Sequence, residues 1–267
     1  MSVTAVVGDC TTTTVVAIAA TWPDDDGPVI LEADRTGGSL AAWLGTPASP
    51  TLSAAVASAH DGERGSLSIE TLVHRSASGI DFIAAPVRTR EAERALLEAT
   101  ATVLPAIMRI GRPLLADLGR VRAADPVPVV ATLADRIVIV HRQATASAPA
   151  AAVRLDRCAE LVERIVSIGR PPIVAVIGDR PFDLDEIRSY LSGAAHADVE
   201  VALLADDPVG AAVFAGRTGV SARRLARLPL SRSARQLALA LAGRHDATPA
   251  HEDVRSGSAP ASDQVVR

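Results

Sequence analysis

The residues best placed to do chemistry sit near the N-terminus, in Gly8-Asp9-Cys10-Thr11-Thr12-Thr13-Thr14. The apolar strand Val3-Thr4-Ala5-Val6-Val7 precedes them. A helix through Val15, Val16, Ile18 and Ala19 follows. Strand, tight loop, threonines and helix form the layout of a phosphate-binding loop, in which N–H groups at a helix N-terminus face an anion. Thr12 or Thr13 can supply a hydroxyl to Mg²⁺ there. Such a loop carries a lysine, because an ammonium neutralises β- and γ-phosphate charge. This chain contains no lysine: all 27 of its basic residues are arginine. Asp9 adds negative charge instead, and Cys10 stands where a glycine would let the backbone approach closely. The competing reading is a strand-to-helix turn capped by threonines. Cys10 also has two readings, a thiol activated by the helix N-terminus or a small buried packing residue.

Other acids fall at the carboxyl ends of apolar runs, the edge where open parallel sheets bind ligands. Glu32 and Asp34 follow Val29-Ile30-Leu31 and precede the Gly37-Gly38 turn. They can orient a water or reach Mg²⁺ through one, or Asp34 and Arg35 organise the turn. Asp117 ends Pro113-Leu114-Leu115-Ala116. It is placed to reach Mg²⁺ through water or to pair with Arg120 or Arg122. Asp206 and Asp207 follow the last apolar run and can cap the next helix. Arg217 to Arg235 includes Arg223, Arg224, Arg227 and Arg232. It reads as a solvated helix face, or as a surface for an acidic partner or a nucleic-acid backbone.

The elements that must position these residues alternate along the chain. Strands are expected at Val29–Leu31, Gly79–Ala84, Pro113–Asp117, Asp135–Val140, Pro172–Ile177 and Val199–Leu204. Helices are expected around Leu40–Leu44, Thr51–Ala59, Glu91–Met108, Ala150–Ile168, Leu184–Leu191, Val209–Ala215 and Arg232–Ala242. Continuous apolar strands separated by helices predict an α/β fold, a mostly parallel, doubly wound sheet with helices on both faces. The pattern supports one domain over residues 1–246. Residues 247–267 lack periodicity and read as a disordered tail without a basic amphipathic face.

Composition excludes several classes. Aromatic residues make up 2% of the chain and the net charge is −4, so neither base stacking nor a general basic footprint indicates nucleic acid. Lysine and asparagine are both absent while alanine and arginine abound. A GC-rich genome explains this for the surface, but less well for the loop, where arginine is no substitute for a point charge. Cys10 and Cys158 show neither metal-ligand spacing nor a disulfide framework. With no signal peptide and no transmembrane run, the expected address is cytoplasmic.

In this order, the residues resemble the ParA/MinD class of P-loop ATPases, and more narrowly divergent MinD-like proteins of actinobacteria. The resemblance runs from Val3 to about Gly243. It rests on Thr11–Thr14, Glu32-Ala33-Asp34 through Gly37-Gly38-Ser39-Leu40, Asp117-Leu118-Gly119, Ala134–Val140 and Asp206–Ala212. It implies a deviant Walker A loop whose two lysines match Val6 and Thr11 here, and whose glycine matches Cys10. It also implies Thr12 as the Mg²⁺ threonine, Asp34 as the switch-like acid and Asp117 as the Walker B acid. The cofactor-binding set is then Gly8, Asp9, Cys10, Thr11, Thr12 and Thr13. Asp34 and Asp117 are the catalytic candidates of an active enzyme, and ATP and Mg²⁺ its cofactors. Where the family reads adenine with asparagine, this chain has Gly178-Asp179-Arg180. Members position chromosomes, plasmids, division sites, or pilus and secretion assemblies. The resemblance therefore implies a scaffold with a degenerate nucleotide site that does not hydrolyse ATP. A protein partner of a positioning, Tad-type pilus or secretion assembly would recruit it to the membrane or pole, and it would form a homodimer. The alternative is an active ParA/MinD-type ATPase.

Overall fold

The computed structural model describes residues 2–60, 69–122, 124–143, 147–170 and 172–243. The expected tail, residues 247–267, lies outside them. The N-terminal half contains β1 (Val3–Gly8), α1 (Thr11–Ala20), β2 (Val29–Glu32), α2 (Leu40–Trp43), α3 (Leu52–His60) and α4 (Ile69–Leu72). It continues with β3 (Val73–Arg75), β4 (Asp81–Ile83), α5 (Thr89–Thr102), α6 (Leu104–Ile107) and β5 (Leu114–Asp117). The second half runs α7 (Val129–Leu133), β6 (Arg136–Arg142), α8 (Ala148–Ser167), β7 (Ile173–Ile177) and α9 (Leu184–Ala195). It ends with β8 (Glu200–Leu204), α10 (Pro208–Phe214), α11 (Ala222–Leu225) and α12 (Pro229–Gly243).

Eight strands form one sheet in the order β3-β4-β2-β5-β1-β6-β7-β8. Every pairing is parallel except β3 with β4. Side chains alternate across a strand, so β1 feeds two cores. Val3, Ala5 and Val7 face the core shared with α3, α5, α8 and α9. Val6 faces the core shared with α1 and α12. Burial on both faces is why the strands read as unbroken apolar runs. The expectation of a mostly parallel, doubly wound α/β sheet with helices on both faces holds.

Two expectations change. The helix expected over Glu91–Met108 is broken after Thr102, and a short second helix begins with Pro105 in its first turn. Proline has no N–H to continue the ladder and clashes with the preceding turn. The antiparallel edge strand β3 gave no signal: its three residues, Val-His-Arg, hold no apolar run.

β1 is the central strand, flanked by β5 and β6. The chain switches sides of the sheet here, and this is where an open α/β sheet opens a crevice at its carboxyl edge. The loop Gly8–Cys10 leaves β1 at this edge.

Candidate functional site

The loop is stitched to both flanking strands. The Gly8 amide donates to the Gly119 carbonyl at 3.1 Å and the Asp9 amide to the Val140 carbonyl at 2.8 Å. Gly8 is obligatory: its φ is +118°, and a Cβ would lie 2.3 Å from the Val140 carbonyl oxygen. Cys10 follows in the left-handed conformation, φ 54° and ψ 32°, as the N-cap of α1, and its side chain caps nothing. Its thiol is exposed. The buried packing role expected as one reading of Cys10 is therefore wrong: a left-handed loop tip turns its side chain outward. First-turn amides of a helix have no intrahelical acceptor, so Thr11, Thr12 and Thr13 present theirs at the loop's open end.

Thr12 and Asp117 meet directly. Thr12 Oγ1 donates to Asp117 Oδ2 at 2.7 Å, and the Gly119 amide donates to Asp117 Oδ1 at 3.1 Å. Asp117 is 1% exposed. Burial pushes its carboxyl pKa up, the Thr12, Thr11 and Gly119 hydrogen bonds pull it down, and the charge of Asp34 raises it again. The expected alternative pairing of Asp117 with Arg120 or Arg122 does not occur, because Arg120 turns to Asp9. Asp34 lies against the same turn: a Cβ on Gly119, at φ +65°, would sit 2.2 Å from Asp34 Oδ2. Asp34 Oδ1 also accepts from the Thr36 amide and hydroxyl, each at 2.8 Å.

Glu32 is not available to water or metal. Its buried carboxylate accepts from the amides of Ser39, Leu40 and Ala85, fastening the start of α2 to the end of β4. Burial raises its pKa against the pull of those three amides. Asp207 caps α10 through the Gly210 amide and also accepts from the Leu230 amide. Asp206 pairs with Arg142. The arginines Arg217, Arg223, Arg224, Arg227, Arg232 and Arg235 are all exposed, as a solvated face requires.

A cavity of about 300 Å³ opens over the loop, lined by Cys10, Thr11, Thr12, Asp34, Trp43 and Arg120 among others. Asp34 is the carboxylate among its described lining residues, and Arg120, the cation there, is paired with Asp9. The Asp9 carboxylate receives Arg120 Nη2 at 3.1 Å, Arg154 Nη2 at 2.7 Å and the Arg142 amide at 3.4 Å. The chain thus carries its own anion against these arginines. Sequence reasoning missed Arg154, which lies 145 residues from Asp9. It also missed Gln143 and His141. Gln143 is fully buried and donates to the Gly178 and Phe182 carbonyls, fixing the turn that includes Gly178-Asp179-Arg180. A polar run, His141-Arg142-Gln143, right after an apolar strand was the available signal. Among the described residues, no group of three His, Cys, Asp or Glu side chains is placed to hold a metal ion. No described helix is long and apolar enough to cross a membrane.

The strand order and the loop at the carboxyl edge of β1 define a P-loop NTPase-type fold of the MinD/ParA kind. No protein-family model and no curated protein matches the sequence significantly. Solved structures do match its fold. A ParA family ATPase from Chlorobium tepidum TLS is similar over 90% of this chain and 98% of its own, with TM-score 0.67 and 15% identity. A chain of the MinC:MinD cell division protein complex of Aquifex aeolicus matches over 91% of this chain and 96% of its own, with TM-score 0.66 and 14% identity. Cobyrinic acid a,c-diamide synthase from Mycobacterium smegmatis, with bound ATP analog and magnesium, matches over 92% and 95%, with TM-score 0.54 and 19% identity.

Proposed function

We propose that this chain is a positioning or assembly scaffold on a MinD/ParA-type fold, with a degenerate nucleotide site that does not hydrolyse ATP. One observation carries the reading: among the described residues lining the loop cavity the cation is Arg120, which is tied to Asp9, while Asp34 lines the same cavity and Asp117 lies buried beside it against Thr12. Half of an ATP·Mg²⁺ site fits. Thr12 Oγ1 and Asp117 Oδ2 are hard oxygen donors of the kind Mg²⁺ prefers, and they already converge. The triphosphate half does not fit. Phosphate oxygens would meet the Asp34 carboxylate and helix-terminal amides with no ammonium between them, and Cys10 narrows the approach a glycine would allow.

In this reading the fold serves to present surfaces to a protein partner of a positioning, pilus or secretion assembly. A homodimer and recruitment from the cytoplasm to a membrane or pole by that partner belong to the same proposal. The second reading is an active ATPase, and Arg120 is the observation that favours it. Its exposed guanidinium borders the loop cavity and could leave Asp9 for a phosphate, as arginines do in other phosphoryl transfers. Phosphate release from Mg·ATP by the purified chain separates the two. The scaffold reading expects no turnover above background. Robust turnover lost in Asp117→Ala would replace it with the ATPase.

A further inference from the structure

We propose that the pocket between the carboxyl ends of β1 and β6 and helix α8 binds a small organic anion. Arg122 and Arg157 hold its carboxylate or phosphate head, and its apolar body lies against Val121, Ile139 and Leu161. The pocket shares Gly8 and Arg120 with the loop cavity, but the rest of its lining is its own. α8 packs on the opposite face of the sheet from α1, and the loop stands between the two spaces. Its volume, about 710 Å³, lies within the range of small-molecule sites.

Its charge favours an anion. Among the described residues, Arg120, Arg122, Arg154 and Arg157 line it against two carboxylates, Asp9 and Glu160. Asp9 engages Arg120 and Arg154. Among the described residues, the Arg122 and Arg157 guanidinium groups have no carboxylate partner. Guanidinium forks match carboxylate and phosphate geometry.

A second observation points to the same ligand. His141, at the end of β6, is 4% exposed, lines this pocket, and has a buried Nε2 with no hydrogen-bond partner among the described residues. Buried polar groups are normally satisfied, and exceptions call for a missing partner. Burial lowers the His141 pKa to about 4, with Asp9 raising it and Arg154 lowering it, so the ring is neutral at pH 7. A neutral imidazole nitrogen can donate to or accept from a ligand. The pocket binds rather than reacts: burial holds the Cys158 thiol protonated, its pKa pushed up to about 12.

Calorimetric titration of the full chain with phenyl phosphate and with phenylacetate, without nucleotide or Mg²⁺, tests the proposal. Benzyl alcohol is the neutral control. Saturable binding of one anion is expected, and the better one identifies the head group. Arg122 and Arg157 are exposed, so the Arg122→Gln/Arg157→Gln double variant keeps the fold and should weaken binding at least about tenfold. Thr12→Val should leave it unchanged, and the His141 Nε2 NMR signal should shift on titration. Anions binding no better than benzyl alcohol would overturn the proposal. So would an unaltered double variant, or binding lost in Thr12→Val, which would place the ligand in the loop cavity. Neither result depends on whether the chain hydrolyses ATP.

Discussion

Cys10 is the residue at which the loop departs most plainly from what its backbone asks for. At φ 54° it adopts a left-handed conformation that costs a non-glycine residue about 1–2 kcal/mol. Glycine removes that cost but adds unfolded-chain entropy. Cys10→Gly is therefore expected to raise stability by a net of up to about 1 kcal/mol in urea denaturation. A loss of stability would mean that the thiol makes a packing contact. Asp117 gives the second prediction at this scale. Its folded pKa is raised by burial, so the native state holds its proton more tightly than the unfolded chain. That contribution is complete below the unfolded pKa near 3.8 and is lost as pH rises through the folded value. Asp117→Asn carries no such loss. Its stability relative to the native chain should grow from pH 4 to pH 8 in thermal melts, and a difference that stays flat or shrinks would contradict the burial argument.

Elements built from unbroken apolar runs were legible: β1, β5, β6 and β7 stand where their Val, Ile and Leu residues predicted, because both faces of a parallel sheet are covered. Short elements fixed by tertiary contacts were not legible. β3 exists because it can pair with β4, with His74 stacked on Phe82 at 5.1 Å between ring centroids. α7 and α11 are single turns set by packing and a cap. β4 and the segment entering β2 are joined by Arg112, which donates to buried Asp81 at 2.7 Å and to the Gly27 carbonyl. Arg75 supplies a second, more exposed partner to Asp81. Arg112→Ala is accordingly expected to cost about 2 kcal/mol, less than breaking a buried pair outright because Arg75 remains. Chemical denaturation measures it, and a change within about 0.5 kcal/mol would show that Arg75 suffices.

For the whole molecule, the sheet order brings Gly8, Asp34, Asp117 and Asp9's partners Arg120 and Arg154 to one edge. Local sequence identified the loop and both acids, because strand ends in such sheets point to one crevice. It could not reveal that Asp9 gathers arginines from β5's exit and from α8, since nothing local links positions 9 and 154. Nor could it tell that Glu32 is consumed by three amides, because an acid after a strand looks the same whether it faces water or backbone. On the proposed scaffold reading, supplying a cation at the loop should create nucleotide binding: Cys10→Gly with Thr11→Lys is expected to give saturable Mg·ATP affinity. A folded double variant that still ignores nucleotide would mark the loop as a structural turn. The most direct measurement is calorimetric titration of the native chain with Mg·ATP, followed by sizing of the mixture. No saturable heat up to about 1 mM nucleotide and no change in oligomeric state are predicted. A dissociation constant at or below about 10 μM, with nucleotide-dependent dimerisation, would show that this loop clasps triphosphate without lysine.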